Sequence, residues 1–199
     1  MISIILASQS PRRKKLLEQI GIAFEIFPSG VEEISNENTP GAIVEDLAML
    51  KAKDVGSKFS DALIIGADTI VFHEGKVLEK PKSENDAFEM LKKLSGSTHS
   101  VLTGVAFVKK DKNDNIEADI SFHEQTKVTF STLLDEEIIN YIKTGNPLDK
   151  AGAYGIQDDL GALFVEKIEG DFYNVVGLPL NRSYRELKKL IPEISLIHE

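Results

Sequence analysis

The stretch Ile2-Ser3-Ile4-Ile5-Leu6-Ala7-Ser8-Gln9-Ser10-Pro11-Arg12-Arg13-Lys14-Lys15-Leu16-Leu17 decides how the chain is read. Ile2, Ile4 and Ile5 form a short apolar run of the kind that makes a buried strand. Ser10-Pro11 then marks a helix start, with Ser10 at the N-cap and Pro11 at the first helical position. Leu16, Leu17 and Ile20 supply that helix with an apolar face, and Gly21 supplies its stop. A strand therefore runs into a helix through a turn bearing two hydroxyls. Arg12, Arg13, Lys14 and Lys15 occupy the helix's opening turns.

Cations are out of place there. Unpaired N–H groups make a helix N-terminus partly positive, so each exposed cation costs roughly 0.3–1 kcal/mol. An anion held over the turn reverses the sign, because N–H groups, hydroxyls and guanidinium forks then all point at it. The other reading is a solvated cationic stripe.

Outward from this stretch, strand and helix signals alternate. Phe24, Ile26 and Phe27 suggest a short strand ending at Pro28-Ser29-Gly30. Thr39-Pro40 opens a helix with Ile43, Val44, Leu47, Leu50 and Val55 on one face. Ala62 to Phe72 is the most apolar stretch and contains a strand. A tight turn at His73-Glu74-Gly75-Lys76 returns it through Val77 to Pro81. Ser83 caps a helix with Ala87, Phe88, Leu91 and Leu94 on one side.

His99 to Val108 and Ile120 to Phe130 read as two strands joined by the turn Asp111 to Asn115. Asp135 is expected to cap a helix carrying Ile138, Ile139 and Ile142, broken by Gly145-Asn146-Pro147. Lys150 to Gln157 is small and glycine-bearing, hence a loop passing close to something. Leu160 to Ile168 is expected to be another strand, and a last helix carries Tyr184, Leu187 and Leu190. The pattern is α/β with a mixed sheet flanked by helices. No linker is long enough to separate independent domains, so one domain over 1–199 is expected, with room for two lobes around a cleft.

The composition narrows the function. The chain has 199 residues and a net charge of -9, from 32 acids against 23 bases. That charge argues against a general nucleic-acid or membrane binder, yet leaves room for one local cationic pocket. There are no cysteines, which removes disulfides, thiolate metal sites and cysteine nucleophiles. No apolar run approaches a membrane span, and the N-terminus makes a poor signal peptide, so a cytoplasmic location is expected.

Asp68 is the sharpest single candidate. A carboxylate amid Ile64, Ile65, Ala67, Ile70 and Val71 pays desolvation unless a cation, a metal or hydrogen bonds compensate. It could orient a metal or take a proton from water; the bland alternative is an acid capping a turn. Lys51 and Lys80 are candidate phosphate partners or snorkelling surface lysines. Glu32 and Glu33 could bind a hard metal or be solvated charge. The four histidines lack metal-like spacing, and Ser8 and Ser10 lack an elbow motif or a positioned His–Asp pair.

Taken together, these segments resemble the Maf family of nucleoside triphosphate pyrophosphatases. The resemblance lies in Leu6-Ala-Ser-Gln-Ser-Pro-Arg-Arg13, Val31-Glu-Glu33, Lys51-Ala52, Gly66-Ala-Asp-Thr69 and Lys80-Pro81. It continues through Thr103-Gly104, Lys150-Ala-Gly-Ala-Tyr-Gly-Ile-Gln157 and Asn174-Val-Val-Gly-Leu-Pro179, in the family's order. It implies a Maf/ITPase-like fold, with a twisted mixed sheet in two lobes around a nucleotide-binding cleft. The implied activity cleaves a nucleoside triphosphate between the α and β phosphates with a divalent cation, Mg²⁺ or Mn²⁺.

By that resemblance Asp68 is the general base on the attacking water, or a metal ligand beside it, and Glu33 helps hold the cation. Ser8, Arg13, Lys51 and Lys80 surround the triphosphate. Arg12, Thr69 and Gln157 match the subfamily acting on dTTP and UTP. Glu32 departs from the aspartate often found there. The resemblance also implies a homodimer, and it carries a second reading, a regulatory protein of septum formation acting through protein partners.

Overall fold

Ser3–Leu6 forms strand β1 and Pro11–Gln19 forms helix α1 in the computed structural model, which describes residues 2–158 and 160–194. His198 lies outside the described residues. The Ser10 side chain accepts from the Arg13 N–H, so the predicted cap is present. The elements that follow are β2 (Glu25–Ile26), α2 (Pro40–Gly56), β3 (Ala62–His73), β4 (Lys76–Leu78), α3 (Glu84–Leu94) and β5 (Thr98–Lys110). Then come β6 (Ile116–Phe130), α4 (Asp135–Ile142), β7 (Val165–Glu169), α5 (Phe172–Val176) and α6 (Leu180–Leu190).

The sheet is mixed and has seven strands, in the order β2-β1-β3-β5-β6-β7, with β4 paired to β3. β1 runs parallel to both β2 and β3, while the β3–β4 and β6–β7 pairs are antiparallel. β5 lies between β3 and β6 and is buried along nearly its whole length, which explains its almost unbroken apolar run. β6 mixes buried and exposed positions, as the looser alternation of its sequence required.

The chain divides into two units. The first comprises Met1–Asp68, Thr103–Glu124 and Gly177–Glu199; the second comprises Thr69–Leu102 and Gln125–Val176. β3, β5 and β6 each contribute residues to both, and β3 passes from one to the other between Asp68 and Thr69.

In the first unit the core gathers Ile5, Ala48, Ala52, Val55, Ile64 and Val108. Two strand glycines set the approach of α2. A Cβ on Gly66 would lie 2.1 Å from the Ala48 carbonyl oxygen, and one on Gly104 would lie 2.1 Å from that of Val44. Only glycine leaves room for a helix backbone this close to a sheet. α6 buries Leu180 and Leu187 and sets Arg182 over the Phe122 ring, 4.6 Å from its centroid.

In the second unit α3 packs against α4, and an aromatic group of His99, Phe130, Tyr141, Tyr154 and Phe164 fills the interior. The β3–β4 turn puts Glu74 at φ 47° and Gly75 at φ 78°, the pair of positive angles that a two-residue hairpin turn of matching twist requires.

Three expectations change. Leu160 to Ile168 is not one strand: Gly161–Phe164 is a 3₁₀ turn and only Val165–Glu169 is β7. The turn folds Gly161 onto the Gly155 carbonyl, a contact that apolar patterning cannot reveal. Asp135 does not cap α4; Leu134 is the cap residue, and its N–H is satisfied by Glu137 Oε2 at 2.7 Å. Phe172–Val176 forms a short helix where the sequence suggested only a lead-in.

Candidate active site

Gly66 and Asp68 are two apart on β3 and share a face of the sheet. Because Gly66 admits α2, that face is where Lys51 arrives, one helical turn beyond Ala48. The Lys51 ammonium donates to Asp68 Oδ1 at 2.7 Å and lies 2.9 Å from Glu33 Oε2. Asp68 and Lys51 are both buried, at 8% and 9% exposure, whereas Glu33 is open to solvent. The desolvation that made Asp68 conspicuous is offset by this cation. Asp68 is not a turn cap: it lies within the twelve-residue β3, beyond Ile65, where register with β1 stops.

The turn after β1 is organised by Ser8. Its buried hydroxyl accepts from the Ser10 N–H at 3.2 Å and from Arg13 Nη1 at 3.1 Å, leaving its own proton to donate. Arg13 Nε donates to the Gly177 carbonyl at 2.9 Å. The guanidinium is thus folded back over the helix start rather than streaming into water. Burial pulls it below its ordinary pKa, the Asp68 carboxylate raises it, Arg12 lowers it further and Glu33 raises it again. Arg13 therefore belongs electrostatically with the Lys51–Asp68–Glu33 group. Arg12 is half-buried, while Lys14 and Lys15 are exposed and Lys14 pairs with Glu18 at 3.6 Å.

Glu33 rides on a loop that α2 grips on both sides. Asp54 accepts from Ser29 Oγ at 2.7 Å and from the Gly30 N–H at 3.2 Å, which holds its carboxyl below the usual range. Asp46 accepts from Ser35 Oγ at 2.6 Å. Among the described residues no group of three or more His, Asp or Glu side chains is placed to hold a metal ion. Two hard carboxylates gathered on one ammonium nevertheless suit Mg²⁺ or Mn²⁺, since Mg²⁺ is commonly held by one or two carboxylates completed by substrate phosphates and water. Glu33 and Asp68 are the residues that would hold it. Glu32, beside them, is exposed.

The second unit carries the other three predicted site residues. Thr69 directly follows Asp68 on β3 and is half-buried; Lys80 follows β4 and is exposed; Gln157 is exposed on the loop between α4 and β7. Gly152, with φ at 68°, ties that loop to the hairpin. Its N–H donates to the Glu79 carbonyl at 3.2 Å, next to Lys80, and a Cβ there would come within 2.9 Å of Val71.

Sequence reading did not assign roles to Gly66, Asp54 or Gly177. Glycine inside an apolar strand was a usable signal for the first. Gly177 acts through a backbone carbonyl 164 positions from Arg13, and Asp54 is one of many helix acids; neither carries a signal in the chain itself.

The chain matches the family model described as "Maf-like protein" over residues 3–190. A Bacillus cereus protein named dTTP/UTP pyrophosphatase is 53% identical over 190 residues, covering 95% of this chain and 96% of that one. A Bacillus anthracis protein of the same name is 52% identical with the same coverage. A second Bacillus cereus relative so named is 50% identical across the full length of both chains. Among solved structures, the Staphylococcus aureus Ham1 protein aligns over 64% of this chain and 71% of that one, at 12% identity and a TM-score of 0.45.

Proposed function

This chain belongs to the Maf family, and we infer that it is an enzyme hydrolysing dTTP and UTP to the monophosphate and pyrophosphate. Asp68 is the observation that carries the reading: a buried carboxylate bonded to one lysine, at the point where β3 outruns β1.

In the reaction a water oxygen attacks the α phosphorus and Asp68 takes its proton. The bond from the α phosphorus to the bridging oxygen breaks, and pyrophosphate leaves with the electron pair. Ser8 and Arg13 bind phosphate through a hydroxyl and a fork already held in place by their mutual bond. Lys51 orients Asp68 through their hydrogen bond and lends its remaining donor to phosphate, and Lys80 adds a further cation. When bound at Glu33 and Asp68, a divalent cation supplies positive charge for the leaving pyrophosphate. Arg12, Thr69 and Gln157 select the pyrimidine, Gln157 by offering both a donor and an acceptor. The reading extends to a cytoplasmic homodimer; no helix among the described residues is long and apolar enough to cross a membrane.

The test is pyrophosphate release from a panel of nucleoside triphosphates with Mg²⁺ or Mn²⁺. The expected profile favours dTTP and UTP and collapses in Asp68→Asn. Release that is absent, or untouched by that substitution, overturns the mechanism.

A further inference from the structure

The loop that carries Gln157 is closed by a ring of hydrogen bonds that the reading above does not use. Residues Gly155 to Asp158 form a turn, its ends joined by the Asp158 N–H donating to the Gly155 carbonyl at 3.1 Å. The Tyr141 hydroxyl spans the same two ends from the side: it accepts from the Gly155 N–H at 3.0 Å and donates to Asp158 Oδ2 at 2.8 Å. Lys150, also buried, stands 3.2 Å from the same carboxylate oxygen and 2.7 Å from Asp149. Burial and the Asp158 carboxylate push the Tyr141 phenol far above its ordinary value, so it stays a donor.

A Cβ at Gly155 would fall 2.5 Å from Asp158 Oδ2 and 2.8 Å from Lys150 Cε, so any larger residue there must push these two side chains out of the clasp. Within this clasp Ile156 is buried and Gln157 alone faces solvent, one position before the anchored Asp158. A long amide side chain on a free loop would lose most of its pairing energy to ordering; a turn locked at both ends has that cost met on folding.

We propose that the Tyr141 hydroxyl, with Asp158 and Lys150, is a positioning device that presents Gln157 to the pyrimidine and so sets base preference. This rests on Gln157 being a base reader, as argued above. Tyr141→Phe keeps the ring against Phe164 but removes both hydrogen bonds.

The test compares kcat/KM for UTP and GTP in the intact enzyme. Tyr141→Phe lowers the UTP-over-GTP preference about fivefold, chiefly through KM for UTP, as expected when part of a hydrogen-bonded discrimination is lost. Asp158→Ala moves it the same way and stands in if Tyr141→Phe folds poorly; Asp158→Asn, which keeps an acceptor for the hydroxyl, restores most of it. In Tyr141→Phe/Gln157→Ala the preference equals that of Gln157→Ala alone, because the clasp acts only through that side chain. Equal losses for both nucleotides, or additive effects in the double variant, overturn the proposal while leaving the base reader standing. A preference unchanged in Gln157→Ala overturns the base reader itself, and this proposal with it.

Discussion

Lys51 and Asp68 are joined at 2.7 Å across the contact between α2 and β3, and both are buried. Removing either partner therefore has different consequences. Lys51→Met strands a buried carboxylate and should cost about 3 kcal/mol, or roughly 6–12 °C in Tm. Asp68→Asn keeps the shape and leaves Lys51 with Glu33, so its melt should stay near the parent's. Its pyrophosphate release should fall by about 10²–10⁴, the usual worth of a positioned base. Thermal melts and steady-state rates on the two variants check the pair of outcomes.

Gly66→Ala should be costly although it adds one methyl. The new Cβ would meet the Ala48 carbonyl at 2.1 Å, and backbone cannot step aside as a flexible side chain can. We expect a loss of about 2–3 kcal/mol in denaturant unfolding. Activity should fall as well, because lifting α2 draws Lys51 away from Asp68.

Arg13→Lys should fail as a conservative change. Lysine cannot reproduce the geometry in which Nε meets the Gly177 carbonyl while Nη1 meets Ser8. kcat/KM for UTP should drop roughly 10- to 100-fold, with fluorescence or dichroism showing an intact fold.

The metal reading predicts that a chelator stops pyrophosphate release and that added Mg²⁺ restores it. Glu33→Gln should raise the Mg²⁺ concentration needed for half-maximal rate by about tenfold or more. An equal Mg²⁺ requirement in the variant would remove Glu33 from the site.

Stability should decline in mild acid because of His99. Its ring is buried between Phe130 and Tyr154, and burial, aided by the charge of His73, lowers its pKa from 6.5 to about 3. The unfolded chain binds the proton first, so the folded state loses stability as pH falls from near 6.5 toward 3. The loss should reach a few kcal/mol. His99→Gln should flatten that slope, measured as urea midpoints from pH 7 to 4.

Much of this was legible in the chain. Ser10-Pro11, Thr39-Pro40 and Ser83 marked three helix starts, because a cap is a bond between residues a few positions apart. The Glu74-Gly75 turn was equally local. The order of the motifs identified the family, and the burial of Asp68 among aliphatic residues marked it out before any partner was known. What escaped was non-local or lacked a side chain: the 3₁₀ turn at Gly161–Phe164, the Gly177 carbonyl on Arg13 and the Tyr141 clasp on the Gln157 turn.

The sequence by itself determined the α/β alternation, the capped helix starts, the family and the identity of the residues that bear charge near the first turn. Local propensity and side-chain chemistry suffice for those. Only the tertiary structure decided which charges meet. It set Lys51 on both Asp68 and Glu33, turned Arg13 back onto Ser8, and left Lys14 and Lys15 in water. The physical reason is that electrostatic pairing depends on distance in space, and distance here was set by two glycines, Gly66 and Gly104, which let one helix lie against the sheet.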